Sequence, residues 1–291
     1  TPVAGEIVFL RVFDLGGTVD VKKLRDILGT AIETPSVSPL RSVPEYVSFA
    51  TPIPLSLAGL DMDLTTEDGL NAAVSARLYP VGGLAISIRV PAAERTISDL
   101  ARYANLRYRF KGTLVERSGI YQTVFDAFAP KARLAYDEIF DEPVEPERYH
   151  AFCLTQIPGG SAALLRDQKD QVAALLVGDP HPEKLSASQI EEVTRRWFSY
   201  YHDDLVVVDW DAGLVVEPQG RYEDLLYIFE VANLGLLLLR KYDQYLDRVL
   251  NRGYDEYERL LKGHPFFKKR ARDVLAELSD VRMDLAEVTD E

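Results

Sequence analysis

The densest group of polar side chains that could do chemistry lies between positions 200 and 211. It begins with the run Tyr200-Tyr201-His202-Asp203-Asp204 and continues with Asp209 and Asp211. Carboxylate oxygens and imidazole nitrogens are common ligands of divalent metals, so a metal site is one interpretation. In the simpler interpretation, the aspartates end a helix and supply a hairpin turn, since no second histidine follows at ligand spacing. We therefore predict no metal site.

Two glycine pairs could bind an anion, because each is predicted to lie between a strand and a helix. They are Gly16-Gly17-Thr18 and Gly159-Gly160-Ser161. A glycine turn before a helix exposes main-chain N–H groups that can hold a phosphate. Neither pair extends to a dinucleotide-binding or P-loop pattern, and a turn followed by a helix cap also explains both. We keep Gly159, Gly160 and Ser161 as a candidate anion site and predict no cofactor.

Nucleophilic catalysis finds little support in the sequence. There is no GxSxG motif, and the four histidines, His150, His181, His202 and His264, are scattered along the chain. The single cysteine, Cys153, lies in a short apolar run that indicates a buried strand. A reactive thiol needs an accessible, electropositive setting, so we predict that Cys153 is an inert core residue. No catalytic residue is predicted.

Composition narrows the classes of partner and compartment. The chain has 291 residues and a net charge of −13, which disfavours nucleic acid as a partner. One cysteine excludes an internal disulfide and suits a reducing compartment. No apolar run approaches the ~20 residues that a membrane-spanning helix needs, and the first residues lack the features of a signal peptide. We expect a cytoplasmic protein that meets a membrane only if the native chain continues beyond Glu291.

The elements that would position these residues divide the chain into three parts. Residues 1–111 follow the order β-α-β-β-β-α, with a strand over 6–14 and a hairpin over 71–90, which predicts a small α+β unit of ferredoxin-like type. Residues 112–220 predict a second α/β unit. It contains a strand over 149–157, a helix that runs through 197–201, and a hairpin over 205–217. Residues 221–291 predict an antiparallel helical hairpin.

The helical hairpin carries two apolar seams with the spacing of a coiled coil. In the first helix the seam consists of Leu225, Phe229, Ala232, Leu236, Leu239, Leu246 and Leu250. In the second it consists of Phe267, Ala271, Val274, Leu278, Val281, Leu285 and Val288. Alternate spacings of four and three keep one stripe against a partner helix. The turn Gly263-His264-Pro265 is so short that the two helices should pack antiparallel. The second seam predicts self-association or the docking of a protein partner.

The C-terminal third also resembles a known family. The hairpin over 206–216 precedes Tyr222-Glu223-Asp224-Leu225-Leu226-Tyr227, and Arg240 and Leu246-Asp247-Arg248-Val249-Leu250-Asn251 follow in the same helix. This order resembles the DUF155 family of proteins required for meiotic nuclear division. In that family an α/β region leads into a helical hairpin and then a membrane anchor, and this chain departs from the pattern because we expect no anchor within its 291 residues. The resemblance implies a scaffold or tether, with no catalytic residue to carry over.

Taken together, these patterns predict a non-enzymatic interaction or scaffold protein that acts through its C-terminal helices. The alternative is an enzyme, or a binder of a small molecule or anion, with a site between the two α/β units. Ser161 or His202 should then lie near that site.

Overall fold

The computed structural model describes residues 2–32, 52–139 and 144–261, and it confirms the predicted α+β class. The second predicted seam, over 267–288, lies outside the described residues, as does the turn at 263–265. The chain divides into two compact units, one of residues 1–40 and 50–234 and the other of residues 41–49 and 235–291. In the described part of the chain, no helix combines the length and apolar character needed to span a membrane.

The first unit contains all the described strands. They are β1 (Val3–Asp14), β2 (Gly17–Val19), β3 (Ile53–Leu55), β4 (Leu64–Thr66), β5 (Asn71–Tyr79), β6 (Gly83–Glu94), β7 (Arg107–Phe110), β8 (Thr113–Glu116), β9 (Tyr136–Ile139), β10 (Glu147–Gln156), β11 (Trp197–Phe198), β12 (Leu205–Val208) and β13 (Ala212–Val216). Eleven of them form one mixed sheet in the order β11-β12-β13-β10-β1-β6-β5-β4-β7-β8, with β3 beside β5. Only β10 and β13 are parallel among these pairs. Strands β2 and β9 pair separately.

Six α-helices are described. They are α1 (Val21–Leu28), α2 (Arg117–Arg133), α3 (Ser161–Asp167), α4 (Lys169–Val177), α5 (Ala187–Val193) and α6 (Glu223–Leu261). Side chains cap two of them, because Asp20 accepts from the N–H groups of Lys22 and Lys23, and Ser186 accepts from that of Gln189. Caps of this kind satisfy N–H groups that a helix start leaves unbonded. The first unit ends within α6, at Leu234.

The central strand β1 is covered on both faces. Phe9 and Phe13 point towards α2, where Tyr121 donates to the Phe9 carbonyl at 2.9 Å and Phe125 lies 4.9 Å from the Phe13 ring. Val8 and Leu10 point the other way, towards Phe229 and Glu230 of α6. Successive side chains of a strand alternate between its faces, so a strand covered on both sides becomes a nearly continuous apolar run. This explains the composition of β1.

The face beneath α6 is unusually polar for a buried surface. The Glu230 carboxylate accepts from Arg77 Nη1 at 2.9 Å and from the Tyr79 hydroxyl at 2.7 Å. At the start of α6, Glu223 receives two hydrogen bonds from Arg89. Glu230 is almost fully buried, and such a group is tolerated only when it is paired and hydrogen-bonded. These bonds fix where the first part of α6 lies on the sheet.

Several predicted elements agree with the structure, while the predicted boundary between residues 111 and 112 falls in the turn between β7 and β8. Strands from both sides of that boundary join the same sheet, since β1 pairs with β10 along nearly its whole length. Residues 1–40 and 50–111 therefore share one compact unit with residues 112–220. The predicted strand over 6–14, the hairpin over 71–90 and the strand over 149–157 correspond to β1, β5–β6 and β10.

Candidate functional site

A cavity of about 510 Å³ in the first unit brings Ser161 and His202 together, although they are 41 positions apart. It lies between α3 and the chain that follows α5. Besides these two residues, its lining includes Arg166, Lys169, Glu191, Arg195 and Trp197. A cavity of this size, with a few polar groups and one aromatic ring, is in the range that holds a small molecule.

Two glycines set the position of Ser161. Gly159 and Gly160 follow β10 with φ of +79° and +80°, a backbone region that side chains with a Cβ rarely adopt. They turn the chain into α3, and the buried Ser161 hydroxyl then donates to the main-chain carbonyl of His202 at 3.4 Å. This bond ties the start of α3 to the loop that carries His202.

The charges in the cavity are largely balanced. Arg166 pairs with Asp167 at 2.7 Å, Lys169 pairs with Glu191, and Arg195 lies 3.7 Å from Glu192. The cavity is therefore polar without being strongly cationic. The candidate anion site at Gly159, Gly160 and Ser161 stays a prediction, with Ser161 already bonded within the protein.

The polar run from position 200 serves the backbone. One oxygen of Asp204 accepts from the N–H groups of both Tyr200 and Tyr201, at 2.8 and 3.0 Å, and so closes the turn before β12. Asp211 pairs with Arg148 at 3.3 Å. Within the described ranges, no group of three His, Cys, Asp or Glu side chains could hold a metal ion. The Ser161 hydroxyl donates to the main-chain carbonyl of His202, and among the described residues no hydrogen bond joins it to the His202 ring.

The other candidates from the sequence lie apart from the cavity. Gly16 directly precedes the short strand β2 and Gly17 begins it, so this glycine pair leads into a strand and not into a helix. Cys153 is fully buried in β10, and burial raises the pKa of its thiol. The predicted core role of this cysteine is thus consistent with its position.

A stretch of chain rich in exposed aromatic side chains adjoins the cavity through Trp197, and we call it the aromatic edge. It consists of Trp197, Phe198, Tyr200, Tyr201 and Trp210. Between 52% and 85% of each side chain is exposed. Trp197 and Phe198 form β11, which ends the strand order of the sheet, and Trp210 lies at the nearby β12–β13 turn. Exposed aromatic groups at this density mark interaction sites more often than ordinary surface.

The predicted helix through 197–201 is wrong. Helix α5 ends at Val193, and the Thr194 hydroxyl then donates to the Ile190 carbonyl. The run Trp-Phe-Ser-Tyr-Tyr is aromatic and favours an extended chain, which pairs with β12 here. A helix would have turned part of this run inwards, whereas an edge strand and its loop leave it exposed. The aromatic edge was therefore missed, although its aromatic composition was the available signal.

The fold and its site define an α+β protein with a large mixed sheet and an exposed aromatic edge. Residues 4–223 match the family described as uncharacterized protein MJ0711, N-terminal domain, and the chain belongs to this family. No curated protein matches, and neither does any solved structure. The match ends where α6 begins, so it covers the sheet, the cavity and the aromatic edge.

Proposed function

We propose that the protein is a non-enzymatic interaction protein whose first unit binds an extended segment of a partner protein beside β11. The observation that carries the proposal is the aromatic edge. Burying large aromatic side chains supplies much of the free energy of protein association, and such residues dominate binding hot spots. Five large aromatic side chains between residues 197 and 210 are exposed to solvent.

The position of β11 supports this mode of binding. It is the terminal strand of the sheet, so its outer main-chain groups can pair with an added strand. Strand addition gains affinity from main-chain hydrogen bonds and specificity from pockets that receive alternate side chains. The 510 Å³ cavity, which Trp197 helps to line, would receive one such side chain. Its mixed charges suit a polar or zwitterionic group better than a strongly acidic one.

Peptides selected from a random display library on the full chain test the proposal. We expect them to bind the full chain and to lose about tenfold or more in affinity for the Phe198→Ser variant, the loss typical of a hot spot. Phe198 is 65% exposed, so this variant should fold. The matched control is Leu134→Ser, which is 74% exposed at the end of α2. Equal binding to all three proteins would contradict the proposal, and so would a failure to select any peptide.

The C-terminal helices supply a second proposed interaction surface. Of the seven seam residues predicted in α6, Phe229 is buried, while Ala232, Leu239 and Leu250 are exposed and the other three are half-buried. The exposed part of this stripe suits a partner helix. Self-association or partner docking through this stripe remains part of the proposal, as do the helical hairpin and the ferredoxin-like arrangement. The tether role implied by the DUF155 resemblance is also part of the proposal. It would include a membrane contact only if the native chain continues beyond Glu291.

A small-molecule binder is the second candidate function, and the cavity at Ser161 and His202 favours it. Shifts in melting temperature with a panel of small polar compounds would test this role. We expect a shift in the melting temperature of the full chain that is abolished by Ser161→Ala. The control Ser188→Ala should preserve the shift, because Ser188 is outside the cavity lining. Shifts that are equal in both variants would place the ligand elsewhere.

A further inference from the structure

Two arginines, one from β1 and one from α2, each lie near a phenylalanine ring on the face of β1 that packs against α2. Arg117 begins α2, and its guanidinium carbon lies 3.9 Å from the centre of the Phe9 ring. Arg11 is two residues beyond Phe9 on the same face, and its guanidinium carbon lies 5.8 Å from the Phe13 ring centre. The charges of both arginines act on the pKa of the Tyr121 phenol, so the two guanidinium groups lie around the same side chain.

Polar atoms of this cluster are buried without a hydrogen-bond partner among the described residues. They are Nη1 of Arg117, Nε of Arg11 and the hydroxyl of Tyr108. Tyr108 is fully buried. All three residues lie close enough to Tyr121 to act on the pKa of its phenol. Most buried polar atoms in proteins have a partner, so three unpartnered atoms in one cluster call for an explanation.

The same cluster has an unbalanced charge. In the described part of the chain, neither Arg11 nor Arg117 forms an ion pair, and Arg117 donates only to the Ala104 carbonyl. Burial lowers the pKa of Arg117, which reflects the cost of an unpaired buried cation. His150 adds no charge at neutral pH, because burial and the charge of Arg117 lower its pKa to about 4. The nearby carboxylate of Asp211 is already paired with Arg148.

We propose that Arg11, Arg117 and Tyr108 form a binding site for an oxyanion, namely the phosphate or carboxylate group of a ligand. A guanidinium offers a fork of N–H donors that matches the oxygens of either group, and a tyrosine hydroxyl adds one more donor. A bound oxyanion would supply both the counter-charge and the missing hydrogen-bond acceptors. Arg11 and Arg117 are each partly exposed, so an anion can reach them from solvent.

Calorimetric titration of the full chain with inorganic phosphate, and separately with acetate, tests this site. We expect at least one of the two to bind, and the one that binds identifies the oxyanion class. Tyr108→Phe keeps the ring and removes only the unpartnered hydroxyl, so it should fold and weaken binding about tenfold, the value of one hydrogen bond to a charged group. Arg117→Met keeps an apolar stem over Phe9 and should abolish binding.

The matched control is Arg107→Met, because Arg107 is exposed and paired with Glu67 at 2.8 Å. It should bind the anion as the unmodified chain does. Two results would overturn the proposal. One is the absence of binding for both phosphate and acetate, and the other is equal affinity in the unmodified chain, Tyr108→Phe and Arg117→Met. The cluster would then be a structural tie between α2 and β1.

Discussion

At the scale of single residues, α6 carries two glutamates whose environments shift their pKa values in opposite directions. Burial raises the pKa of Glu230 above its ordinary value of 4.5, although Arg77 and Tyr79 oppose the shift. Hydrogen bonds from Arg89 lower the pKa of Glu223. A raised pKa in the folded state means that the folded protein binds the proton more tightly than the unfolded chain does. The two residues should therefore change stability with pH in opposite senses.

We predict the pH dependence of folding stability from these signs. The folding stability that Glu230 contributes is fully present below pH 4.5. It is lost as the pH rises through the raised pKa that Glu230 has in the folded state. That of Glu223 is present above pH 4.5 and is lost as pH falls through its lowered folded pKa. The Glu230→Gln variant should therefore lack the loss of stability with rising pH that Glu230 causes. Urea unfolding of this variant and of the unmodified chain across this pH range measures the difference.

Glu223→Gln is the matched control for that series. Its carboxylate is half exposed, so its ion pair should contribute about 1 kcal/mol or less at neutral pH. His150, whose lowered pKa gives a dependence of its own below pH 6.5, is common to all three proteins and cancels in the comparison. A Glu230→Gln profile parallel to that of the unmodified chain would show that Glu230 does not titrate in this range.

At the scale of elements, the β5–β6 hairpin depends on one glycine. Gly82 has φ of +93°, and an added Cβ would lie 2.0 Å from the main-chain oxygen of Gly17. Gly69 has a similar φ of +90°, but an added Cβ there would have no heavy atom within 4 Å. Gly69→Ala should cost about 1–2 kcal/mol for the strained backbone. Gly82→Ala should cost about 1–3 kcal/mol more, because the backbone must also move.

Denaturant unfolding of both variants measures this difference directly. Both glycines have a positive φ, so a strained backbone lowers the stability of both variants. The difference between their free energies of unfolding therefore measures the effect of the close approach of Gly82 to Gly17. Equal losses would mean that the turn can shift away from β2 at little cost.

Short sequence patterns predicted the elements that depend on neighbouring residues. They failed where contacts between distant residues determine the structure. Strand β1 and the β5–β6 hairpin follow from apolar runs and a Gly-Gly turn. The order of the sheet does not, because the pairing of β1 with β10 joins residues more than a hundred positions apart. The aromatic run at 197–201 favours an extended chain, and pairing with β12 fixes Trp197 and Phe198 in that conformation.

The candidate site could be predicted only in part, for the same reason. The turn at Gly159-Gly160-Ser161 was visible in the sequence because two adjacent glycines precede an apolar periodic segment. Its contact with His202 was not, since the chain between them forms three helices and an edge strand. The cluster of Arg11, Tyr108 and Arg117 had no local signal either, because three separate elements contribute one residue each.

At the scale of the whole molecule, the first part of α6 is buried in the first unit, and this determines which variants can test self-association. Removing all residues after Gly220 would be the simplest test from the sequence. In the structure, however, Tyr222, Phe229 and Leu234 are buried in the first unit, so that truncation would expose the polar face of the sheet. A truncated chain that changed its association state could simply be misfolded. Substitution of exposed seam residues avoids this problem.

We predict that the full chain self-associates and that the double variant Leu239→Glu/Leu250→Glu is a monomer. These leucines are 50% and 43% exposed, so the substitutions should cost little folding stability, whereas a charge in a helix–helix seam opposes association. Sedimentation velocity of both proteins over a range of concentrations provides the measurement. Leu134→Glu, an exposed leucine outside α6, is the control and should sediment as the unmodified chain does. If the unmodified chain is monomeric at every concentration, the prediction of self-association through this seam is wrong.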